Sequence, residues 1–151
     1  MSHSGKSDLK KSIPIKLKAL KKPDVQFIIL IDQDSSNCNT LKSEIIEICD
    51  RVKGINYKVR VVCRELEAWY LGDLNAVDNA FGTKLVRHKK QKDFRVPDSI
   101  VEPKQKLLKY IKERGQIAIA EKMANAMTWT SIENNPSDSF RIFLQTIGLR
   151  C

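Results

Sequence analysis

Two aspartates separated by one residue are the first side chains whose type and spacing could do chemistry. Asp32 and Asp34 directly follow the apolar run 27–31, and the turn-forming residues 35–37 come next. Carboxylates this close repel one another unless a positive charge lies between them, and their hard oxygens suit Mg²⁺ or Mn²⁺. The alternative interpretation is that Asp32 caps the turn and Asp34 is solvated.

The elements that must position these aspartates form a strand–helix–strand unit. The run 27–31 has no polar alternation, which predicts a strand buried on both faces in a parallel sheet. A helical pattern follows at 38–53, and β-branched residues mark a second strand at 56–63. Parallel strands joined by a helix end at the same sheet edge, where open α/β sheets bind ligands. We therefore expect Asp32 and Asp34 to lie near the residues that follow the second strand.

Further acidic residues follow that second strand. Arg64, Glu65 and Glu67 open a segment whose pattern predicts a helix starting at Arg64. The convergence of these side chains with Asp32 and Asp34 would make a site. The structural alternative is that Glu65 or Glu67 stabilises the amino terminus of its own helix.

A dense basic segment follows at 84–95. Its cations are Lys84, Arg87, Lys89, Lys90, Lys92 and Arg95, interleaved with His88 and Phe94. Cations mixed with aromatic rings permit phosphate contact and base stacking, whereas a charge run alone is usually a solvated surface. The chain has 27 basic and 18 acidic side chains and a net charge of +9, which favours polyanionic partners, most simply nucleic acid.

Composition and length are typical of a soluble globular domain in a reducing compartment. The chain has 151 residues, 42% of them apolar and 30% charged, with no apolar stretch of membrane-spanning length. Its four cysteines, Cys38, Cys49, Cys63 and Cys151, lack the C-x-x-C spacing of a zinc knuckle. We therefore expect reduced thiols, a cytoplasmic location and no membrane partner.

The pattern becomes helical after Val96, with helices expected at 104–114, 117–127 and 137–148. We expect an α/β fold with a parallel βαβ sheet followed by a helical C-terminal part. The expected organisation is an α/β core at 1–82. A basic loop and helical extension at 83–151 would pack on the same domain.

Five blocks of sequence stand out along the chain: His-Ser-Gly-Lys-Ser-Asp-Leu (3–9), Phe-Ile-Ile-Leu-Ile-Asp-Gln-Asp-Ser (27–35), Cys-Arg-Glu-Leu-Glu-Ala-Trp-Tyr-Leu-Gly-Asp (63–73), Glu-Pro-Lys-x-x-Leu (102–107) and Ser-Phe-Arg-x-Phe (139–143). In this order they resemble a bacterial family of uncharacterised Toprim-like proteins that is often associated with ATPase genes in mobile or phage-defence loci. The resemblance implies a partial Toprim-like sheet, a fold in which acidic residues at strand ends bind Mg²⁺.

Within that resemblance, Asp32 and Asp34 match the Asp-x-Asp motif, and Glu67 matches the acidic residue before the tryptophan of nuclease-like members. These three residues are the implied catalytic and metal-binding set for Mg²⁺ or Mn²⁺, with Glu65 and Asp73 as further candidates. The first Toprim strands and their essential Glu have no counterpart in this sequence. We therefore expect an N-terminally incomplete core whose sheet is completed upstream, by a second copy or by a partner.

Two functions follow as expectations. The first is a Mg²⁺-dependent nucleic-acid phosphodiesterase, or its metal-binding part, in a phage-defence setting. Its nucleic-acid-binding residues would be Arg64, Arg87, Lys89, Lys90 and Lys92. The second is a catalytically inactive binding or assembly module that joins an ATPase.

Overall fold

The computed structural model describes His3 and residues 5–149, so Ser4 of the first block and the Cys151 thiol lie outside the described residues. The described chain is mixed α/β, with one parallel two-stranded sheet and helices. The strands are β1 Gln26–Asp32 and β2 Asn56–Val62, and the helices are α1 Lys6–Leu20, α2 Cys38–Asp50, α3 Glu67–Leu71, α4 Leu74–Phe81, α5 Lys92–Arg95, α6 Pro103–Leu108, α7 Gln116–Ala126, α8 Trp129–Glu133 and α9 Asp138–Thr146, with short 3-10 helices at Leu85–His88 and Pro97–Ser99. The predicted α/β class with a βαβ sheet and a helical C-terminal part is confirmed.

The chain divides into two compact units, residues 1–61 and residues 62–151. This boundary differs from the one expected after residue 82. Helices α3 and α4 lie before residue 82, yet they pack with α6 and α7 of the second unit.

In the first unit, α1 and α2 pack side by side and run in the same direction. Lys10 near the start of α1 pairs with Glu44 of α2 at 2.6 Å, and Lys21 just after α1 donates to the Lys53 carbonyl just after α2 at 2.8 Å. Because α2 connects two parallel strands, it starts at the carboxyl end of β1. Both helices therefore begin at that end of the sheet.

The burial of β1 corrects one prediction from the sequence. Ile29 and Ile31 are buried in the apolar cluster that α1 and α2 share, whereas Ile28 and Leu30 on the other face are only half-buried. The prediction of a strand buried on both faces is therefore wrong. Successive side chains of a strand point to opposite faces, and α1 and α2 join one cluster on a single face.

The second unit has its own helical core. Leu71, Val77, Leu107 and Met123 are fully buried in it, one each from α3, α4, α6 and α7. Two predicted helices are shorter than expected. Helix α3 begins at Glu67 and not at Arg64, and α6 ends at Leu108 and not at Arg114. Among the described residues, no helix combines the length and apolar character needed to cross a membrane.

The described cysteines form no disulfide bond; Cys49 is buried, and Cys38 and Cys63 are half-buried. Burial, together with the neighbouring charge of Asp50, raises the pKa of the Cys49 thiol to about 11. Cys49 is therefore a protonated core side chain at neutral pH, and its packing in α2 accounts for it.

Candidate functional site

The loop after β1 is held by a lysine from the first turn of α1. Lys6 Nζ lies 2.8 Å from Asp34 Oδ2 and donates to the Gln33 carbonyl at 2.9 Å and to Ser36 Oγ at 3.4 Å. The Asp34 side chain is 50% exposed, and its backbone has a φ of +51°, a left-handed conformation that aspartate tolerates better than most residues. The expected charge neutralisation at Asp34 is thus provided by Lys6.

Two helix amino termini meet this loop. Asn37 caps α2 by accepting hydrogen bonds from Asn39 N at 3.0 Å and Thr40 N at 3.1 Å. Helix α1 begins at Lys6 without a side-chain cap, next to the same loop. The amino terminus of a helix carries a partial positive charge, so this end of β1 stabilises negative charge on a carboxylate or on a phosphate.

The three expected metal ligands lie in different parts of the chain. Asp32 is the half-buried last residue of β1, and Asp34 follows it in the first unit. Glu67 is in the first turn of α3 in the second unit and is only 7% exposed. Within His3 and residues 5–149, no three His, Cys, Asp or Glu side chains form a group that could hold a metal ion. The convergence of Asp32, Asp34 and Glu67 stays a prediction.

The two further acidic candidates have structural roles. Glu65 Oε2 accepts a hydrogen bond from Lys104 N at 2.9 Å, so it stabilises the amino terminus of α6 rather than that of its own helix. Asp73 caps α4 by accepting from Ala76 N at 3.0 Å. Its other oxygen, Oδ2, is buried without a hydrogen-bond partner among the described residues.

Backbone conformation is unusual in the two turns that follow the strands. Asp34 and Arg64 both have positive φ values, +51° and +62°, and each lies within two residues of the end of its strand. A non-glycine residue in this region costs about 1–3 kcal/mol, and such residues concentrate at functional sites. Arg64 is half-buried, a constrained position for a residue expected to contact nucleic acid.

The basic segment forms the 3-10 helix Leu85–His88 and the short helix α5. Its predicted phosphate-binding cations, Arg87, Lys89, Lys90 and Lys92, are all exposed. Phe94 is only 4% exposed and lies in the core of the second unit, with the Lys106 ammonium 5.1 Å from its ring centre. The expected base stacking by Phe94 is therefore wrong, because no face of a buried ring is open to a base.

The tryptophan of the 63–73 block is a structural centre of the second unit. Trp69 is 4% exposed, and its ring centre lies 4.8 Å from that of Phe140 and 5.2 Å from that of Phe143. Its indole Nε1 donates to Ser139 Oγ at 2.8 Å. Two separate sequence blocks, 63–73 and 139–143, thus meet in one packed cluster.

A buried polar network surrounds this cluster. Asp98 accepts hydrogen bonds from Ser139 N at 2.9 Å and from Ser139 Oγ at 3.1 Å, and Asn135 Nδ2 donates to the Trp69 carbonyl at 2.8 Å. A Cβ atom added at Gly72 would lie 2.2 Å from Asn135 Oδ1, so glycine is required there. The 63–73 block is therefore explained in large part by packing, which is a role the sequence alone could not separate from catalysis.

Comparison with known proteins gives a family but no described activity. No curated protein and no solved structure matches the chain. The model of the family described as a domain of unknown function, DUF4276, matches residues 3–148. The chain therefore belongs to the DUF4276 family.

Proposed function

We propose that the chain is a Toprim-like, Mg²⁺-dependent nucleic-acid phosphodiesterase that works in the cytoplasm in phage defence. The observation that supports this best is the ion pair between Lys6 and Asp34, 2.8 Å apart, at the carboxyl end of β1. A carboxylate pair, a lysine and two helix amino termini adjoin one loop there. Metal-assisted phosphoryl chemistry needs acidic groups for a cation and positive groups for phosphate.

The end of β1 would bind a divalent cation once the Lys6 ammonium is displaced from Asp34. The Asp34 side chain is half exposed, so an ion can reach it from solvent. Asp32 and Asp34 would hold Mg²⁺ or Mn²⁺ through carboxylate oxygens, the donors that these ions prefer. The ion would stabilise negative charge on the phosphoryl oxygens and lower the pKa of a bound water.

The remaining roles belong to positive groups of the chain. Lys6, once displaced from Asp34, would pair with a phosphate, and the amino termini of α1 and α2 would stabilise the same negative charge. The exposed cations of the basic segment that would hold the nucleic-acid backbone are Arg87, Lys89, Lys90 and Lys92. Arg64, outside this segment, is a further expected contact.

A cleavage assay tests this function. Wild-type protein is incubated with single- and double-stranded DNA and RNA, with Mg²⁺ and with a chelator. We expect cleavage that requires Mg²⁺ and is lost in Asp34→Asn. The matched control is Asp24→Asn, since Asp24 is an exposed aspartate with positive φ before the same strand. Cleavage that resists the chelator, or that is equal in the two variants, would refute the proposal.

One observation favours the second function, an assembly module that joins a partner such as an ATPase. Within the described residues β1 and β2 pair only with each other, so each strand has one edge without a strand neighbour. An apolar edge strand such as β1 readily pairs with another chain. Sedimentation at rising protein concentration should then show self-association. A chain that stays monomeric, alone and with a candidate ATPase, would contradict this second function.

A further inference from the structure

The second unit contains a cavity of about 620 Å³. It lies between the end of α4, the 3-10 helix that follows, and the segment that joins α6 to α7. Small-molecule sites in proteins are typically about 300–1,000 Å³, so the cavity has the size of a ligand site. Its walls come from stretches that lie far apart along the chain, so no local sequence pattern indicates it.

The lining of this cavity has a surplus of positive charge. Lys84, Arg87, Lys112 and Lys122 line it, against one acidic residue, Glu113. Glu113 is already engaged, because its carboxylate accepts from Lys122 Nζ at 3.1 Å and from the backbone N–H groups of the next two residues. In the part of the chain that the structure describes, Lys84 and Lys112 form no ion pair, so their charges are open to an anion.

The wall that carries Lys84 and Arg87 is held in place by a half-buried aspartate, Asp78. Asp78 Oδ1 accepts hydrogen bonds from Thr83 Oγ1 at 2.5 Å and from Leu85 N at 2.6 Å, and Asp78 Oδ2 accepts from Val86 N at 3.0 Å. Leu85, between the two cations, is 2% exposed. A loop held at three backbone or hydroxyl groups presents its cations with little loss of entropy on binding.

The cavity also offers an aromatic surface. Tyr110 lines it and is 40% exposed, in contrast to the buried Phe94 of the basic segment. Aromatic rings stack on bases, and neighbouring cations bind phosphate. From this combination we propose that the cavity binds one nucleotide unit, with the phosphate on Lys84, Arg87 and Lys112 and the base against Tyr110. The site shares Arg87 with the nucleic-acid-binding surface of the proposed function, but it needs neither a metal ion nor Asp34, so the two can be tested separately.

A titration series tests the nucleotide site. Calorimetry is run in a chelator on Asp34→Asn protein, so that failure of the metal site leaves this result unaffected. The probes are adenosine monophosphate, pyrophosphate and a four-residue oligodeoxyadenylate. We expect adenosine monophosphate and the oligodeoxyadenylate to differ in affinity, and the tighter of the two shows whether the natural ligand is a free nucleotide or a nucleic-acid strand. Pyrophosphate should bind at least about tenfold more weakly than the tighter nucleotide probe.

Two variants locate the binding. Lys84→Gln/Lys112→Gln should weaken the better probe by at least about tenfold. Lys109→Gln, an exposed lysine in the same segment that does not line the cavity, should leave it unchanged. Tyr110→Leu should weaken the nucleotide and not pyrophosphate. Three results would each overturn the proposal: no binding by adenosine monophosphate and none by the oligodeoxyadenylate, pyrophosphate binding as tightly as the better nucleotide probe, or equal effects of the double variant and Lys109→Gln.

Discussion

Lys6 Nζ and Asp34 Oδ2 lie 2.8 Å apart and tie the first turn of α1 to the loop that ends β1. The pair places a positive group at the position where the sequence motif predicts a metal ion. Its two side chains are 27% and 50% exposed, so the pair is at the surface and weak. An incoming divalent cation could therefore replace the ammonium at little cost.

Lys6→Gln tests this competition. Removing the ammonium should raise Mn²⁺ affinity about 1.4-fold to fivefold, since an exposed ion pair contributes about 0.2–1 kcal/mol. Free Mn²⁺ measured by electron paramagnetic resonance gives the affinity. Lys10→Gln is the control, because Lys10 is paired with Glu44 one turn further along α1. If both variants bind Mn²⁺ like wild type, Lys6 does not compete with a metal.

The basic segment is tested by the salt dependence of nucleic-acid binding. Changing its four predicted cations to glutamine should flatten the slope of log K against log salt by about 0.7–0.9 for each phosphate that the protein no longer neutralises. The changed residues are Arg87, Lys89, Lys90 and Lys92, and the control set is the exposed cations Lys11, Lys18, Lys22 and Lys42. If the slope flattens equally in the two sets of variants, the effect is one of overall charge and the basic segment is not a binding site.

Ser139→Ala tests the structural role of the 63–73 block. The change leaves the buried Trp69 Nε1–H without its acceptor and removes the hydrogen bond from Ser139 Oγ to Asp98, which together should lower the free energy of unfolding by about 1–3 kcal/mol. Urea denaturation followed by circular dichroism measures it. Ser99→Ala is the control, since Ser99 is exposed and donates to a carbonyl three residues earlier. Equal losses in the two variants would mean that the Trp69 hydrogen bond adds nothing to stability.

Asp78 predicts a pH dependence of stability. Burial alone would raise its pKa, but hydrogen bonds from Thr83, Val86 and Leu85 and the charge of Arg87 outweigh burial and lower it. Because the pKa is lower in the folded state, the stabilisation is present above the ordinary value of 3.8 and is lost as pH falls through the folded value.

Asp78→Asn should accordingly be less stable than wild type at neutral pH, by about 1–3 kcal/mol, because at least one amide donor is left without its acceptor. The difference in stability between wild type and Asp78→Asn should shrink as the pH falls below the ordinary pKa range of a carboxyl group. Thermal melts of both proteins from neutral to acid pH measure it. A difference that stays constant across this range would show that the charge of Asp78 does not stabilise the loop.

The local sequence pattern was sufficient to predict the two strands and α2, because the residues that favour each of these elements are close together in the sequence. The expected strand at 56–63 and helix at 38–53 correspond to Asn56–Val62 and Cys38–Asp50. The roles of Phe94 and Glu65 were not predictable in this way. Each depends on a partner elsewhere in the second unit, Lys106 for Phe94 and Lys104 for Glu65, and sequence spacing does not report such contacts.

The central claim, a divalent cation at Asp32 and Asp34, is tested most directly by calorimetric titration of Mn²⁺ into wild type and into Asp32→Asn/Asp34→Asn. Asp24→Asn serves as the control for loss of one exposed carboxylate of similar backbone conformation. We predict binding heat in wild type and in Asp24→Asn, and none in the double variant. The same heat in wild type and the double variant would contradict the claim.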